Sequence, residues 1–289
     1  MAVYKRNYKG WSGELTPEWG RFLVIPKYAW RGLFQQRLLV ILYVASFFWP
    51  LVCLLAIYLN ASLGFLGQFV RVPEEGLITI GADFFYYYTL VQSIFAFILT
   101  AFIGPGLISP DVVNNALPLY FCRPFSRFEY VLGKMTVLIA LLSSITWMPG
   151  LVLFFVHSSL AGWQWMIDNF WLANSTFLSL WMWVVLISLL ALAISAWVRW
   201  KLIAGAALVL IFFVGAGLAQ AINSAIDTNK GNWLHFGYNA SRLWLDLFDR
   251  GERMDAISSE EAALSLLLMS ALCVWLLWKK IRACEVVRG

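Results

Sequence analysis

Uncharged apolar runs are the feature that most constrains this chain. Stretches without Asp, Glu, Lys or Arg recur along its 289 residues, and a further stretch, residues 131–156, contains only Lys134. A helix needs about 20 predominantly apolar residues to cross the hydrocarbon of a bilayer. We therefore predict an all-α integral membrane protein with six transmembrane helices. The predicted spans are residues 38–59, 84–108, 131–156, 172–198, 202–222 and 262–281.

Composition supports the same class. Hydrophobic residues make up 61% of the chain and charged residues 13%, whereas soluble domains are about half apolar and a quarter charged. Residues 1–37 are basic and aromatic, which predicts an interfacial amphipathic helix on the membrane surface before the first span. A disordered basic tail is the alternative for this segment. Residues 38–289 are predicted to form a single six-helix transmembrane domain.

The charges between the spans predict the topology. One side holds 16 Lys and Arg with 5 acids, while the other side holds 5 Lys and Arg with 11 acids. Basic residues accumulate on the cytoplasmic side of membrane proteins, so both termini and the segment between spans 2 and 3 should be cytoplasmic. Residues 223–261 should then lie outside, with a short helix around Trp244 and Phe248. The basic pI follows from this asymmetry and suits anionic lipid, so no nucleic-acid partner is predicted.

The sequence lacks the usual signatures of chemistry. No GxxxxGK[ST] motif occurs, so the chain has no P-loop with which to hydrolyse ATP. His157 and His235 are far apart and belong to no Cys/His cluster, so neither a catalytic nor a metal site is predicted. The interiors of the spans also lack the ionisable groups typical of ion-driven transporters. Energy for any transport should therefore come from a partner.

The connector between spans 2 and 3, residues 109–134, is the most distinctive segment. Ser109 as N-cap and Pro110 at the first position predict a short helix, and Pro118 should bend it. Its predicted apolar face, which would dock on a partner, consists of Val112, Val113, Ala116, Leu117 and Tyr120. Ser126 and Glu129 match a capping box that starts span 3. These signals predict a short helix that lies across the membrane surface, is joined rigidly to two spans, and can transmit a push from a cytoplasmic partner.

The same segment, PDVVNNALPLYFCRPFSRFEYVLGK, resembles the connector of type-2 ABC transporter permeases, the transmembrane subunits of ABC exporters. That connector commonly has an acidic start and a Leu-rich stretch, followed by Arg-Pro, Ser-Arg, an aromatic residue and Gly-Lys. The positions that match this pattern are Asp111, Leu117, Arg123, Pro124, Ser126, Arg127, Tyr130, Gly133 and Lys134. Six spans with cytoplasmic ends, an N-terminal interfacial helix and an outer loop before the last span also agree with this family.

The resemblance implies a permease in a prokaryotic cytoplasmic (inner) membrane. It would pair with a second copy or a sister permease and would bind two cytoplasmic ABC ATPase subunits, which would hold ATP and Mg. The connector would be the coupling helix that docks on the ATPase. The coupling residues implied are Asp111, Leu117, Tyr120, Arg123, Arg127 and Glu129. For Arg123 and Arg127, anchoring at the lipid headgroups is the alternative.

Two further groups of residues follow from helix periodicity. In the family the second and fifth spans line the transport path, and Tyr88, Gln92 and Thr100 share one face of span 2. Ordinary polar contact between helices is the alternative for these three residues. In span 5, two small-xxx-small pairs would allow another helix to approach closely. The pairs are Gly215 with Ala219 and Gly217 with Ala221.

Three functions remain open at this stage. The first is an ABC exporter permease, and the second is a membrane subunit that couples an ATPase to assembly or regulation without moving a solute. The third, an intramembrane enzyme, is disfavoured because no buried nucleophile, carboxylate pair or metal cluster is visible. The aromatic content of 17% suits a lipid-like or amphipathic solute, but it also suits anchoring at the membrane interface.

Overall fold

The computed structural model describes residues 17–66, 79–122, 125–250 and 257–286. In these ranges the chain is helical and contains no β-strand. Two short 3-10 helices also occur there, at Glu18–Leu23 and Lys230–Leu234. The α-helices of the described ranges are α1 (Val24–Leu33), α2 (Arg37–Ala45), α3 (Phe48–Leu66), α4 (Ala82–Ile103), α5 (Pro105–Val113), α6 (Leu117–Phe121), α7 (Arg127–Ile145), α8 (Trp147–Ala161), α9 (Trp163–Asp168), α10 (Phe170–Trp197), α11 (Lys201–Ile226), α12 (Phe236–Leu247) and α13 (Ser259–Val286).

Six helical stretches of the described chain are long and apolar enough to cross a membrane. They overlap the six predicted spans, so the prediction of an all-α membrane protein with six such helices is confirmed. Spans 1 to 6 are Arg37–Ser62, Ala82–Val113, Arg127–Ala161, Phe170–Trp197, Lys201–Ile226 and Ser259–Arg282.

The spans form two groups that differ in burial. In spans 2, 3 and 4, more than half of the most apolar window is buried inside the protein, and we call these spans the inner group. In spans 1, 5 and 6, less than a third of that window is buried, and these spans form the outer group. Span 4 lies at the centre because α10 contacts α4, α5, α7, α8, α11, α12 and α13.

Spans 1, 2 and 3 are each interrupted near a proline. Span 1 breaks between α2 and α3 shortly before Pro50, span 2 breaks at Gly104 beside Pro105, and span 3 breaks at Thr146 before Pro149. Proline has no N–H, so the carbonyl four residues before it loses its helical donor. In hydrocarbon no water can replace that donor, so other protein groups must supply it.

At the end of the bundle that carries the connector, α1 packs along α7. The indole Nε1 of Trp30 donates a hydrogen bond to the Val137 carbonyl at 3.3 Å. Gly133 permits this approach, because a Cβ there would lie 2.9 Å from the Phe22 carbonyl oxygen. A helix therefore exists where an amphipathic segment was predicted, although its interfacial position stays a prediction. Residues 1–16 of the predicted amphipathic segment lie outside the described residues.

At the opposite end, α12 confirms the predicted short helix before span 6. Trp244 of this helix and Phe248 at its end are buried, and α12 contacts both α10 and α13. Arg250, just beyond α12, forms an ion pair with Asp83 at the start of span 2. The helix thus covers the ends of inner and outer spans together.

Candidate functional site

The connector begins differently from the prediction. Helix α5 starts at Pro105, so Pro110 lies inside the helix and Ser109 is not its N-cap. Instead, the single hydroxyl proton of Ser109 has two carbonyl acceptors within reach of its Oγ, that of Ser195 at 2.9 Å and that of Val198 at 2.6 Å. These acceptors lie at the end of span 4, where carbonyls lack helical donors. The predicted helix start is therefore wrong, because the Ser109 hydroxyl donates to a carbonyl at the end of span 4 and does not cap its own helix.

Asp111 faces the interior of the chain. Its Oδ2 lies 2.7 Å from Lys134 Nζ and accepts a hydrogen bond of 2.7 Å from the Tyr130 hydroxyl. The side chains of Lys134 and Asp111 are only 9% and 16% exposed, so each charge depends on the other. This contact joins the end of span 2 to span 3. A coupling contact of Asp111 with an ATPase stays a prediction.

Leu117 is also turned inward, which corrects the predicted docking face. Its side chain is 2% exposed and packs with Tyr130 and Ile281. The prediction continued one helical periodicity from residue 112 to residue 120, but Asn115 adopts a left-handed conformation, with φ 51°, and separates α5 from α6. Asn tolerates this conformation better than most residues. The new helix α6 therefore presents Leu119, 72% exposed, on its outer side.

The other predicted coupling residues surround this helix. The Tyr120 ring lies 5.3 Å from the Tyr130 ring, and burial, together with the charge of Asp111, raises the pKa of its hydroxyl. Arg127 is the first residue of α7. Arg123 lies outside the described residues.

The predicted capping box at the start of span 3 is confirmed. The Ser126 N–H donates to Glu129 Oε2 at 2.6 Å, and the Glu129 N–H donates to Ser126 Oγ at 3.2 Å. The two residues fix the start of α7 directly after the connector.

Gln92 is buried in the bundle and donates hydrogen bonds at two of the proline breaks. Its Nε2 donates to the carbonyl of Ser46 at 3.1 Å and to that of Ile145 at 2.5 Å. These carbonyls lie four residues before Pro50 and Pro149, so they are the two that the prolines deprive of helical donors. One amide group of span 2 thus satisfies broken backbone in spans 1 and 3. We call this arrangement the Gln92 clasp.

Tyr88 and Thr100, the other two predicted path residues, are also fully buried. The Tyr88 hydroxyl donates to the Thr146 carbonyl at 2.7 Å, at the break of span 3. Gly150 leaves room for the ring, because a Cβ there would lie 2.8 Å from Tyr88 Cε1. Thr100 Oγ1 donates to Ala96 of its own helix. Tyr88 and Gln92 therefore make the polar interhelical contacts that were the alternative, and a role in transport stays a prediction.

The two small-residue pairs of span 5 differ from each other. A Cβ on Gly215 would lie 2.7 Å from the Leu234 carbonyl oxygen, and Ala219 is buried against the same 3-10 helix, Lys230–Leu234. Gly217, in contrast, has open space around it, and Ala221 is exposed. The first pair thus packs against the chain's own outer segment, whereas the second leaves its face uncovered in the monomer.

A cavity of about 480 Å³ lies between spans 2, 4 and 5 beneath α12. Sequence reasoning missed it, because its lining comes from distant parts of the chain and no local motif marks it. Burial lowers the pKa of His235, so this residue is neutral at pH 7. The cavity is therefore aromatic and uncharged, as is usual for sites that bind apolar ligands. Its aromatic and imidazole side chains are Phe97, Trp183, Phe212, Trp244, Tyr238 and His235.

Potential metal-binding side chains are not clustered in the part of the chain that the structure describes. Across the four described ranges, no three His, Cys, Asp or Glu residues lie close enough to hold a metal ion. No protein-family model matches the chain, and comparison with curated proteins gives no match either. The connector, the Gln92 clasp and the aromatic cavity are therefore the features that bear on function.

Proposed function

We propose that this chain is the permease subunit of an ABC transporter, which exports a solute with energy from ATP hydrolysed by a separate subunit. ATP and Mg would bind that ATPase, and the permease would act as a pair with a second copy or a sister subunit. The sequence resemblance of the connector suggests this function. The two faces of the connector provide the structural support.

The observation that carries the proposal is the exposed apolar surface of the connector. Val113, Leu119 and Phe128 are 50%, 72% and 73% exposed, while Asp111 and Leu117 hold the opposite face against spans 3 and 6. Apolar side chains presented on a firmly held element are typical of an interaction site. The basic residues at this end of the bundle favour a cytoplasmic position for this surface, where an ATPase would meet it.

A displacement of the connector can reach the membrane centre along α7. Leu117 packs against Tyr130 of α7, and the Asp111–Lys134 ion pair adds a second attachment. Helix α7 then continues to Thr146, where Tyr88 and Gln92 contact the break. We propose that ATP-driven movement of the connector pivots span 3 at this break.

The aromatic cavity is the best described candidate for part of the solute path. It lies between spans 2 and 5, the spans that the family resemblance assigns to the path, and its lining carries no charged side chain. An uncharged aromatic cavity suits an amphipathic or lipid-like solute better than an ion. The path would be completed by the paired permease.

The docking proposal can be tested by purifying the full chain from its native membrane and identifying any co-purified ATPase by its P-loop sequence. Leu119→Asp should reduce retention of that ATPase at least tenfold, because a charge replaces apolar contact area. The matched control is Trp163→Asp, since Trp163 is 71% exposed but lies at the opposite end of the bundle. Equal retention by both variants, at equal membrane levels, would contradict docking through the connector.

The non-transporting alternative is favoured by one observation, the complete burial of Tyr88, Gln92 and Thr100. It predicts that no solute changes the ATPase rate of the purified complex in nanodiscs. The export proposal predicts that an amphipathic aromatic solute stimulates this rate, and that Phe212→Ala, in the cavity wall, weakens the stimulation. A complex whose ATPase responds to no member of a broad panel of amphiphiles, and that moves none into vesicles, would favour the alternative.

A further inference from the structure

A groove of about 740 Å³ opens at the connector end of the bundle, between spans 3 and 6. Its volume falls within the range of ligand sites in proteins. Below the rim its walls are apolar, and the side chains that form them are Val131, Leu132, Met135, Leu189, Val274, Leu277 and Ile281. These walls suit a hydrocarbon chain and offer nothing to a polar solute.

The rim of the groove is basic. Arg127 lines the groove, and the Arg282 guanidinium lies 5.2 Å from the ring centroid of Trp278, which also lines it. Span 3 begins at Arg127 and span 6 ends at Arg282, so both guanidinium groups lie at the same membrane boundary. The acid beside this rim, Glu129, is engaged by the Ser126 backbone N–H.

We propose that this groove is a binding site for an anionic phospholipid. One acyl chain would occupy the apolar walls, and the phosphate would contact Arg127 and Arg282. Basic pockets between transmembrane helices on the cytoplasmic side bind the headgroups of anionic lipids, and arginine binds phosphate oxygens through paired N–H groups. A second protein helix is the other occupant that the apolar walls could accept, and the variants described below distinguish it from a lipid.

The position of the groove also relates the lipid to the connector. Phe121, at the end of α6, and Phe125 line the same groove as Trp278 and Ile281 of span 6. A bound lipid would therefore contact the connector and span 6 at once and would limit their relative movement. This consequence does not depend on the nature of the cytoplasmic partner.

The proposal can be tested by native mass spectrometry of the full chain in detergent. Phosphatidylglycerol and phosphatidylcholine with identical acyl chains would be added in equal amounts. The natural chain should retain phosphatidylglycerol in clear preference. Arg127→Gln and Arg282→Gln should each lower that preference about fivefold, which corresponds to about 1 kcal/mol for each basic residue. Arg199→Gln is the matched control, because Arg199 is exposed at the same end of the bundle but outside the groove.

A second variant separates the groove from general surface charge. Val274→Trp leaves every charge in place but fills the groove from span 6, so it should reduce retention of both lipids. Equal retention of the two lipids by the natural chain would overturn the proposal, as would unchanged preference in the double variant Arg127→Gln/Arg282→Gln. If Val274→Trp instead removed a dimer without changing lipid retention, the groove would belong to a second copy of the chain.

Discussion

The inner and outer groups of spans are almost equally apolar in sequence but are held in different ways. Spans 2, 3 and 4 are joined by buried polar contacts, which include the hydrogen bond from Gln92 to the Ile145 carbonyl, the Asp111–Lys134 ion pair and the Ser109–Ser195 hydrogen bonds. In the outer group, span 1 receives one such contact, from Gln92 to the Ser46 carbonyl. In spans 1, 5 and 6, less than a third of the most apolar window is buried. Because lipid is as apolar as leucine, burial of leucine gives little force between helices in a bilayer. Polar contacts and close approach therefore contribute most of the specific force that holds the inner group together.

This comparison also separates two kinds of polar residue. A side chain such as Gln92 stabilises the fold by satisfying carbonyls that prolines have freed. The exposed surface of the connector contributes little to the fold and is available to a partner. Changes in the inner group should therefore alter stability, and changes on exposed surfaces should alter binding.

The largest expected effect is loss of the ion pair between spans 2 and 3. Asp111→Ala should destabilise the protein by about 3 kcal/mol, because Lys134 would remain as a buried charge without its partner. Chemical unfolding in detergent micelles would measure this loss. The control is Lys201→Ala, since Lys201 is exposed and its Nζ donates a long hydrogen bond of 3.5 Å to Gln36. Adding Lys134→Met to Asp111→Ala should recover part of the stability, and the absence of any recovery would contradict the buried-charge explanation.

The next effect concerns the Gln92 clasp. Gln92→Leu should lower the free energy of unfolding by about 2 kcal/mol, because two buried carbonyls lose their donor. Thr100→Val is a matched control, since this equally buried hydroxyl bonds only to its own helix. The same unfolding measurement serves both variants. Similar losses of stability for the two variants would contradict a larger contribution from the interhelical hydrogen bonds of Gln92.

A proline replacement sharpens this test. Pro149→Ala would give residue 149 an N–H that can donate to the Ile145 carbonyl, as in a regular helix. In that background Gln92→Leu should cost about half as much as in the natural chain. Additive costs in the double variant would mean that Gln92 does not act through the break in span 3.

A smaller effect distinguishes two glycines in the outer group. Gly215→Ala should destabilise the protein by about 1 kcal/mol, because the new Cβ would meet the Leu234 carbonyl at 2.7 Å. Gly217→Ala should be neutral or slightly stabilising, because its surroundings are open and alanine favours helix. Thermal unfolding of both variants would measure the difference. Equal changes in stability for the two variants would contradict the close packing of Gly215 against the Leu234 carbonyl.

The smallest effect is a pH dependence at α12, which bridges the two groups. His235 Nδ1 accepts a hydrogen bond of 2.9 Å from the Tyr238 N–H and so caps this helix. Burial lowers the pKa of His235, so its contribution is present above the unfolded pKa of about 6.5 and is lost as pH falls through the lower folded value. Stability should thus decrease by less than about 1 kcal/mol between pH 7 and 5.

His235→Asn provides the control for this pH dependence. Asparagine is a good N-cap that does not titrate, so the variant should keep the helix and lose this component of the pH dependence. Hydrogen exchange of the α12 amides at the two pH values would report the change locally. An unchanged pH response in the variant would assign the effect to other groups.

Local sequence signals predicted a substantial part of this structure. The six apolar stretches, the capping box at Ser126 and Glu129, and the helix around Trp244 all depend on residues close together in the chain. The prediction failed at Ser109, whose hydroxyl bonds to a helix end almost 90 residues away. It also placed Leu117 on the wrong face, because the left-handed Asn115 restarts the helical periodicity.

The sequence by itself determined that this chain is helical, has six stretches able to span a bilayer, and carries most of its positive charge on one side. The physical reason is that backbone hydrogen bonding in hydrocarbon permits few structures, and that helix length and charge are local properties. Only the tertiary structure decided which polar groups meet. From the sequence, Pro50 and Pro149 each predict that the carbonyl four residues earlier has no helical donor. The group that supplies the missing hydrogen bonds, Gln92, comes from another helix. Its position depends on how three broken spans pack together, which is a property of the whole bundle.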